Sequence, residues 1–211
     1  MEDYRTIRGT AIGEYEEKKS RFIAQLSFAD SEEKAVAFLE QVRAANRTAR
    51  HNVYAYRLRE GSRERYSDDG EPAKTAGTRA LEVLQHSGLT DLIVVITRYF
   101  GGVLLGANGL VRAYSHSTAL AIENAQVKVM LPCYPVSIQT DYALYGKIAY
   151  HLPQEDILQL DTIFEDQVEL KLLVRDSLWE PLKKELIDLT CGQVEIVSGG
   201  LQYADFSKAK K

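Results

Sequence analysis

Residues 92–114 read LIVVITRYFGGVLLGANGLVRAY, and this stretch decides the fold of the first half of the chain. The run from Leu92 to Ile96 is aliphatic throughout, which is typical of a central strand buried on both faces. Glycines follow the strand after Arg98, and a helix is predicted from about Leu110 to Asn124. The order of strand, glycine-rich turn and helix indicates a domain that mixes α and β structure.

The segments around this stretch supply the rest of the first domain. A helix is predicted to open at Asp30, where Glu33 completes a capping box. A second helix is expected from Thr78 to His86, with Gly88 as its stop. Strands are predicted over residues 5–12, 20–28, 53–58, 92–98 and 127–131.

Two prolines, Pro132 and Pro135, predict a linker because proline cannot donate to the ladder of a central strand. We therefore expect two domains, residues 1–131 and residues 135–211. The second domain is predicted to contain a strand at 136–140, a helix at 143–152, strands at 157–164 and 168–174, a helix at 177–189 and a strand at 193–198. This βαββαβ order predicts a ferredoxin-like domain, and the whole chain is expected to be α+β.

Composition excludes several classes of protein. The chain has 211 residues, of which 45% are hydrophobic and 27% charged, and this balance supports ordinary cores rather than disorder. No apolar run is long enough for a bilayer and no signal segment opens the chain, so we expect a cytoplasmic protein without a membrane partner. Cys133 and Cys191 are too few and too far apart for a disulfide framework. The lysine-rich tail, residues 207–211, is expected to fray.

Charge is distributed unevenly along the chain. Residues 1–133 carry a net charge of +1 and residues 134–211 a net charge of −5. Arginine side chains suit phosphate and carboxylate contacts, and seven of them cluster at Arg43, Arg47, Arg50, Arg57, Arg59, Arg63 and Arg65. This cluster is interpreted either as an RNA-contacting face or as an ordinary solvated face. The acidic second half is interpreted as a scaffold or as a docking surface for a protein partner.

The glycine-rich turn is a candidate site for an anion or for nucleic acid. Arg98 ends the buried strand, and the N-terminus of the next helix favours negative charge. Glycines allow close backbone approach to a ligand, and the turn and helix contain Gly101, Gly102, Gly106 and Gly109. Arg112 is predicted in the first helical turn, so we expect a bound anion or an internal carboxylate, Asp69 or Glu71, between the two arginines. Alternatively, the glycines serve packing alone.

The second candidate feature is the acidic turn SDDGEP, residues 67–72. Asp68, Asp69 and Glu71, with His51 nearby, are the residue types that bind hard cations or perform acid–base chemistry. The same residues also make a good turn, or ion pairs with arginines. No catalytic nucleophile and no cofactor are predicted. Arg57 lies among tyrosines, and such interleaving suits RNA bases and phosphates.

Three segments carry a resemblance to a known family: HNVYAYR (51–57), RYSDDGEPAKTAG (65–77) and TRYFGGVLLGANGLVRAY (97–114). They are similar to the signature of the YigZ/Impact family over about residues 15–125, and the rest resembles the C-terminal domain of bacterial YigZ proteins. The resemblance implies an N-terminal α/β sandwich like the second domain of a small-subunit ribosomal protein. It also implies a C-terminal domain like the last domain of elongation factor G. Eukaryotic Impact relatives bind the large activator of the kinase that responds to uncharged tRNA.

Three functions follow as hypotheses. The chain is a binding module that contacts RNA, the ribosome or a translation factor through its N-terminal domain. Alternatively, it is a nucleotide-handling enzyme with a metal at the acidic turn, or an adaptor that docks a protein on its acidic domain. If Arg98, Arg112, Asp69 and Glu71 converge on one concave pocket, a small ligand is favoured, whereas a flat basic stripe favours nucleic acid.

Overall fold

A computed structural model describes residues 1–153 and 155–207, so most of the tail expected to fray lies outside the described residues. The chain forms two compact units, Arg5–Lys128 and Met1–Tyr4 together with the chain from Val129 onward. Each unit has its own hydrophobic core, and the predicted α+β class is confirmed. Among the described residues, no helix combines the length and apolar character needed to cross a membrane.

The elements of the first half surround one antiparallel sheet. Its strands run in the order β2-β3-β6-β4-β5, so the predicted central strand β6 is confirmed. The strands of this sheet are β2 (Thr10–Glu17), β3 (Ser20–Phe28), β4 (His51–Leu58), β5 (Arg63–Ser67) and β6 (Leu92–Tyr99), whereas β1 (Tyr4–Ile7) lies outside it. The helices are α1 (Glu32–Ala45), α2 (Gly77–Ser87) and α3 (Gly106–Glu123).

Strand β6 divides its side chains between the two faces of the sheet because successive residues of a strand point in opposite directions. Val94 and Ile96 enter the core beneath α2 and α3. Ile93 and Val95 enter a separate core beneath α1. Arg98 continues the first series, so it lies at the carboxyl end of β6 on the face that carries α2 and α3.

The helix ends test the sequence predictions in detail. Helix α2 stops at Gly88 as predicted, with φ of 69°. Helix α1 is capped by Ser31, whose hydroxyl accepts from the Lys34 amide at 3.3 Å, rather than by the predicted Asp30. Helix α3 begins at Gly106, four residues before the predicted start, because Gly106 and Gly109 belong to the helix rather than to the turn.

The second unit has the ferredoxin-like plan that its element order predicted. Its antiparallel strands run β10-β7-β9-β8, and β11 also pairs with β7. The core includes Ile138, Ile148, Leu170 and Trp179. The elements are β7 (Val127–Thr140), α4 (Tyr142–His151), β8 (Ile157–Phe164), β9 (Val168–Arg175), α5 (Asp176–Leu189), β10 (Glu195–Ser198) and β11 (Gln202–Asp205).

The predicted linker at Pro132 and Pro135 is wrong, because both prolines lie inside strand β7. In an antiparallel ladder the N–H and C=O of one residue face the same neighbour. The Pro135 carbonyl accepts from the Gly199 amide at 2.8 Å, so the missing N–H faces the gap between β10 and β11. Pro132 pairs with Tyr203 of β11 and lies beyond the pairing of β7 with β9, which starts at Cys133. Both prolines are therefore accommodated where the pairing of β7 with a neighbouring strand begins or ends.

Candidate functional site

Arg98 is the centre of the candidate site. Its neighbours in the sheet register are His51 of β4 and Phe22 of β3. The guanidinium carbon lies 5.5 Å from the Phe22 ring centroid and 5.7 Å from that of Phe100, so aromatic faces flank the charge. The Arg98 side chain is only 8% exposed, which makes an unpartnered charge here very unfavourable.

Glu71 supplies the internal carboxylate beside Arg98. One oxygen, Oε1, accepts from Arg98 Nη1 at 2.6 Å and from the Tyr114 hydroxyl at 2.7 Å. The Glu71 side chain is 3% exposed, and His51 Nε2 lies 3.9 Å from the same oxygen. A buried ion pair with a further hydrogen bond therefore joins the acidic turn, the central strand and helix α3.

Tyr114 has a strongly perturbed hydroxyl. Burial raises the pKa of Tyr114 far above its usual value, and the Glu71 carboxylate raises it further. A raised pKa in the folded protein contributes stability that is present below the unfolded pKa of about 10 and is lost as the pH rises above it. The Tyr114 hydroxyl therefore makes unfolding easier at alkaline pH.

We expect Tyr114→Phe to make the free energy of unfolding fall less steeply as the pH rises above about 10. Above pH 10 the free energy of unfolding of the parent protein should fall more steeply than that of the variant, by about 1.4 kcal/mol per pH unit, because one titrating proton is removed. Urea denaturation at several pH values between 10 and 11.5 measures both slopes. Parallel slopes would show that Tyr114 does not titrate as described. Tyr56, whose pKa is raised to about 12 chiefly by burial, remains in both proteins.

The Asp68 carboxylate binds backbone amides at the start of helix α2, so its oxygens are occupied within the protein. Its Oδ1 accepts from the amides of Ala76 at 3.1 Å and Gly77 at 2.8 Å. Its Oδ2 accepts from the Lys74 amide at 2.9 Å. These amides lie at the N-terminus of the helix or just before it, where backbone N–H groups have no partner within the helix. The carboxylate therefore acts as a cap supplied from a distant turn.

Asp69 orders the start of strand β4. Its Oδ2 accepts from the Asn52 amide at 2.6 Å, and its Oδ1 lies 3.4 Å from an Arg43 nitrogen. Its carbonyl oxygen lies 2.7 Å from His51 Nδ1, so Nδ1 is the protonated donor and Nε2 faces Glu71. In residues 1–153 and 155–207, no three His, Cys, Asp or Glu side chains form a group that could hold a metal. The metal interpretation of the acidic turn is therefore not supported by the geometry.

A concave pocket of about 310 Å³ opens above Arg98, and we call it the Arg98 pocket. The first turn of α3 forms one wall, and within the described residues no side chain caps this helix. The Nε of Arg98 is buried and has no hydrogen-bond partner in the described part of the chain. The lining residues are Arg50, His51, Glu71, Pro72, Arg98, Phe100, Leu104, Leu105, Gly106, Ala107 and Leu110.

Other predicted site residues lie elsewhere. Arg112 is in the second turn of α3, outside the lining of the pocket, and its exposed side chain is 3.6 Å from Glu17. The prediction that Arg112 joins Arg98 at the helix start is wrong because the helix begins earlier. Arg57 lies away from the pocket, where it donates to Glu64 at 2.6 Å and to the Leu89 carbonyl at 2.9 Å.

The predicted glycines have different surroundings. A Cβ added to Gly101 would lie 2.1 Å from the carbonyl carbon of Lys19, so this glycine allows close packing of the turn between β2 and β3. Gly102 and Gly106 have positive φ and open space around them. Gly109 is buried within α3, where an added Cβ would meet the Leu105 side chain. Only Gly106 lines the Arg98 pocket.

The arginine cluster is largely neutralised by carboxylates from distant parts of the sequence. Arg63 and Arg65 pair with Glu32, and Arg59 pairs with Asp91. The cluster is therefore not the uniformly basic face that its local sequence indicates.

Within the described residues, Arg47 and Arg50 have no ion pair, and neither have Lys18 and Lys19 in the turn against Gly101. Arg50 also lines the Arg98 pocket. Sequence reasoning placed Arg50 in the arginine cluster, but it did not place Arg50, Phe100 or Tyr114 beside Arg98. Their proximity to Arg98 and Glu71 is a tertiary feature.

Comparison with known proteins identifies relatives along almost the whole chain. Residues 18–122 match the Impact N-terminal domain, and residues 138–193 match a domain of unknown function, DUF1949. The chain is 32% identical over 206 residues to the IMPACT family member YvyE of Bacillus subtilis (strain 168), covering 97% of this chain and 95% of that protein. It is 33% identical over 184 residues to the IMPACT family member YigZ of Escherichia coli (strain K12), covering 86% and 90%.

One solved structure is also similar over nearly its full length. It is described as the crystal structure of a hypothetical protein and is 31% identical to this chain. The superposition has a TM-score of 0.61 and covers 95% of this chain and 98% of the other.

Proposed function

We propose, from the premise that this chain belongs to the Impact family, that it is a translation-related binding protein. In this proposal the first unit binds RNA at the Arg98 pocket. The observation that carries the proposal is the Arg98 guanidinium, which lines the pocket beside the uncapped start of α3. Its Nη1 donates to Glu71, whereas its Nη2 has no hydrogen-bond partner in the described residues. Both features favour an anion at the same wall. RNA supplies such anions in its phosphates.

Charge and aromatic surface around the pocket support RNA over other anions. Arg50 lines the pocket, and Arg47 precedes it by three residues in the same connection. Lys18 and Lys19 are exposed in the turn that packs against Gly101. Phe100 is 42% exposed at the pocket, where a base can stack on its ring.

Translation is the proposed setting because of what the two domains resemble. The first resembles a domain of a small-subunit ribosomal protein and the second the last domain of elongation factor G. A cytoplasmic location accords with two free cysteines, Cys133 buried and Cys191 exposed.

A nucleotide-handling enzyme is the second candidate, and the concave shape of the pocket favours it. His51 and Glu71 are the acid–base groups on its wall. Glu71 is already engaged by Arg98 and Tyr114, which leaves His51 as the available proton carrier. Incubation with nucleoside phosphates followed by product analysis separates the candidates, since a binding protein releases no product.

We expect RNA binding to weaken with salt, as counterion release requires. Two phosphate contacts to a single strand give a slope of about −1.4, so affinity should fall about sevenfold between roughly 50 and 200 mM salt. Fluorescence anisotropy with a labelled single-stranded RNA measures this slope. Affinity that does not depend on salt, or no binding at low salt, would refute the proposal.

A further inference from the structure

We infer that the Arg98 pocket receives a terminal phosphate monoester of a nucleotide, at the end of an RNA strand or in a free mononucleotide. This inference deepens the proposed function and rests on it, because it names the part of the RNA that enters the pocket. Its basis is the juxtaposition of three features: the free Nη2 donor of Arg98, the start of α3 and the apolar rim.

The first feature is the hydrogen-bonding state of Arg98. Glu71 accepts from Nη1 at 2.6 Å, while Nη2 has no acceptor within the described residues. The side chain is more than nine-tenths buried and lines the pocket, and because Nε is fully buried, Nη2 is the free donor that a ligand can reach. A ligand oxygen in the pocket supplies the missing acceptor without displacing Glu71.

The second feature is the start of helix α3, which spans 18 residues. Gly106 and Ala107 lie on the pocket wall, and no side chain in the described part of the chain caps the helix. The first backbone N–H groups of a helix lack intrahelical partners, and the helix dipole adds positive potential there. The pocket therefore presents two separate sets of donors to one anion.

A monoester fits this arrangement better than an internal phosphodiester. At neutral pH a phosphate monoester carries a charge of about −1.5 to −2 and has three acceptor oxygens. It can therefore accept from Arg98 and from the helix start together, with Arg50 as the remaining cation at the pocket. An internal phosphate continues into chain on both sides and needs an open groove, whereas a pocket of about 310 Å³ suits one end group.

The third feature is the apolar rim, which indicates a nucleotide rather than bare phosphate. Phe100 is 42% exposed and Leu104 is 83% exposed, and both line the pocket. Exposed aromatic rings bind nucleobases by stacking, with little sequence preference. The base of the terminal nucleotide is thus expected to lie against Phe100 while its phosphate contacts Arg98.

The test compares one RNA of about ten nucleotides, a length within the range of single-strand sites, in three forms: with a 5′-phosphate, with a 3′-phosphate and with neither. AMP is tested alongside with the same full chain. We expect one phosphorylated form to bind at least about tenfold more tightly than the unphosphorylated form, as one good charge-assisted contact gives. Equal affinity of all three forms would overturn the inference and leave general RNA binding intact.

A variant localises the effect. Ala107→Glu puts a carboxylate in the first turn of α3, where it suits the helix dipole but repels an anion in the pocket. It should reduce the preference for the phosphorylated RNA to less than about twofold, a loss in line with a lost charged contact. Arg112→Gln, which changes an exposed side chain of the same helix outside the pocket, should keep it. A preference that survives Ala107→Glu would overturn the inference.

Failure of the proposed function is distinguishable from failure of the inference. If AMP binds and is weakened by Ala107→Glu while no RNA binds, the phosphate pocket stands as a mononucleotide site and RNA binding is refuted. If neither AMP nor any RNA binds, both are refuted.

Discussion

Replacing Arg98 by alanine should lower the free energy of unfolding of the first unit by about 3–5 kcal/mol, because it leaves the buried Glu71 carboxylate without a counter-charge. Among the described residues, the Tyr114 hydroxyl alone would still donate to that carboxylate. The melting temperature should accordingly fall by more than about 10 °C. Thermal and urea denaturation of the full chain measure the change.

The exposed pair of Arg21 and Glu14 is a matched control for this experiment. Its atoms are 2.8 Å apart, but the side chains are 54% and 50% exposed. Exposed pairs contribute at most about 1 kcal/mol, so Arg21→Ala should have little effect. The double variant Arg98→Met with Glu71→Gln removes both charges and should recover most of the lost stability. An Arg98→Ala variant as stable as Arg21→Ala would contradict the ion-pair description.

The second large effect concerns binding. The Arg98→Met, Glu71→Gln double variant should lose at least about tenfold in RNA affinity at low salt, since a charge-assisted hydrogen bond contributes about 1.5–3 kcal/mol. Because this variant is expected to remain folded, the loss is not a consequence of unfolding.

The matched control for binding is Arg21→Met with Glu14→Gln, which makes the same substitutions in the exposed pair. It should bind RNA like the parent protein, because neither residue lines the Arg98 pocket. Parent-like affinity of the Arg98 double variant would place RNA at another surface.

The central strand and the position of Arg98 were predictable from the sequence because they depend on local pattern. An aliphatic run such as that from Leu92 to Ile96 permits few structures other than a buried strand. The stop of α2 at Gly88 was predictable for the same reason, since glycine accepts the left-handed conformation of a helix end.

The partners of the charged residues were predictable only in part. The sequence indicated an internal carboxylate at Asp69 or Glu71, but the choice of Glu71 depends on how the acidic turn reaches strand β6. The pairing of Arg65 with Glu32 and of Arg59 with Asp91 joins residues about thirty positions apart. Such pairs depend on the order of the strands in the sheet, and this order cannot be predicted from the composition and spacing of one segment.

The errors in element limits have a common cause. The start of α3 and the course of β7 were predicted from glycine and proline as breakers. In β7 the prolines lie where pairing with a neighbouring strand begins or ends. In α3 Gly109 lies within the helix, and Gly106, which has a positive φ, is its first residue. Glycine and proline therefore predicted the wrong ends for these two elements, because the tertiary structure accommodates them inside a helix and a strand.

The most direct measurement of the central claim is the NMR resonance of the Arg98 side-chain Nε–H during titration with single-stranded RNA. Binding at the Arg98 pocket predicts that this resonance moves, because a phosphate oxygen that accepts from Nη2 changes the electronic environment of the whole guanidinium. Arg57 is the internal control, since its Nε already donates to Glu64 at 2.6 Å and should not move. An Arg98 resonance that stays unchanged at saturating RNA would contradict the account.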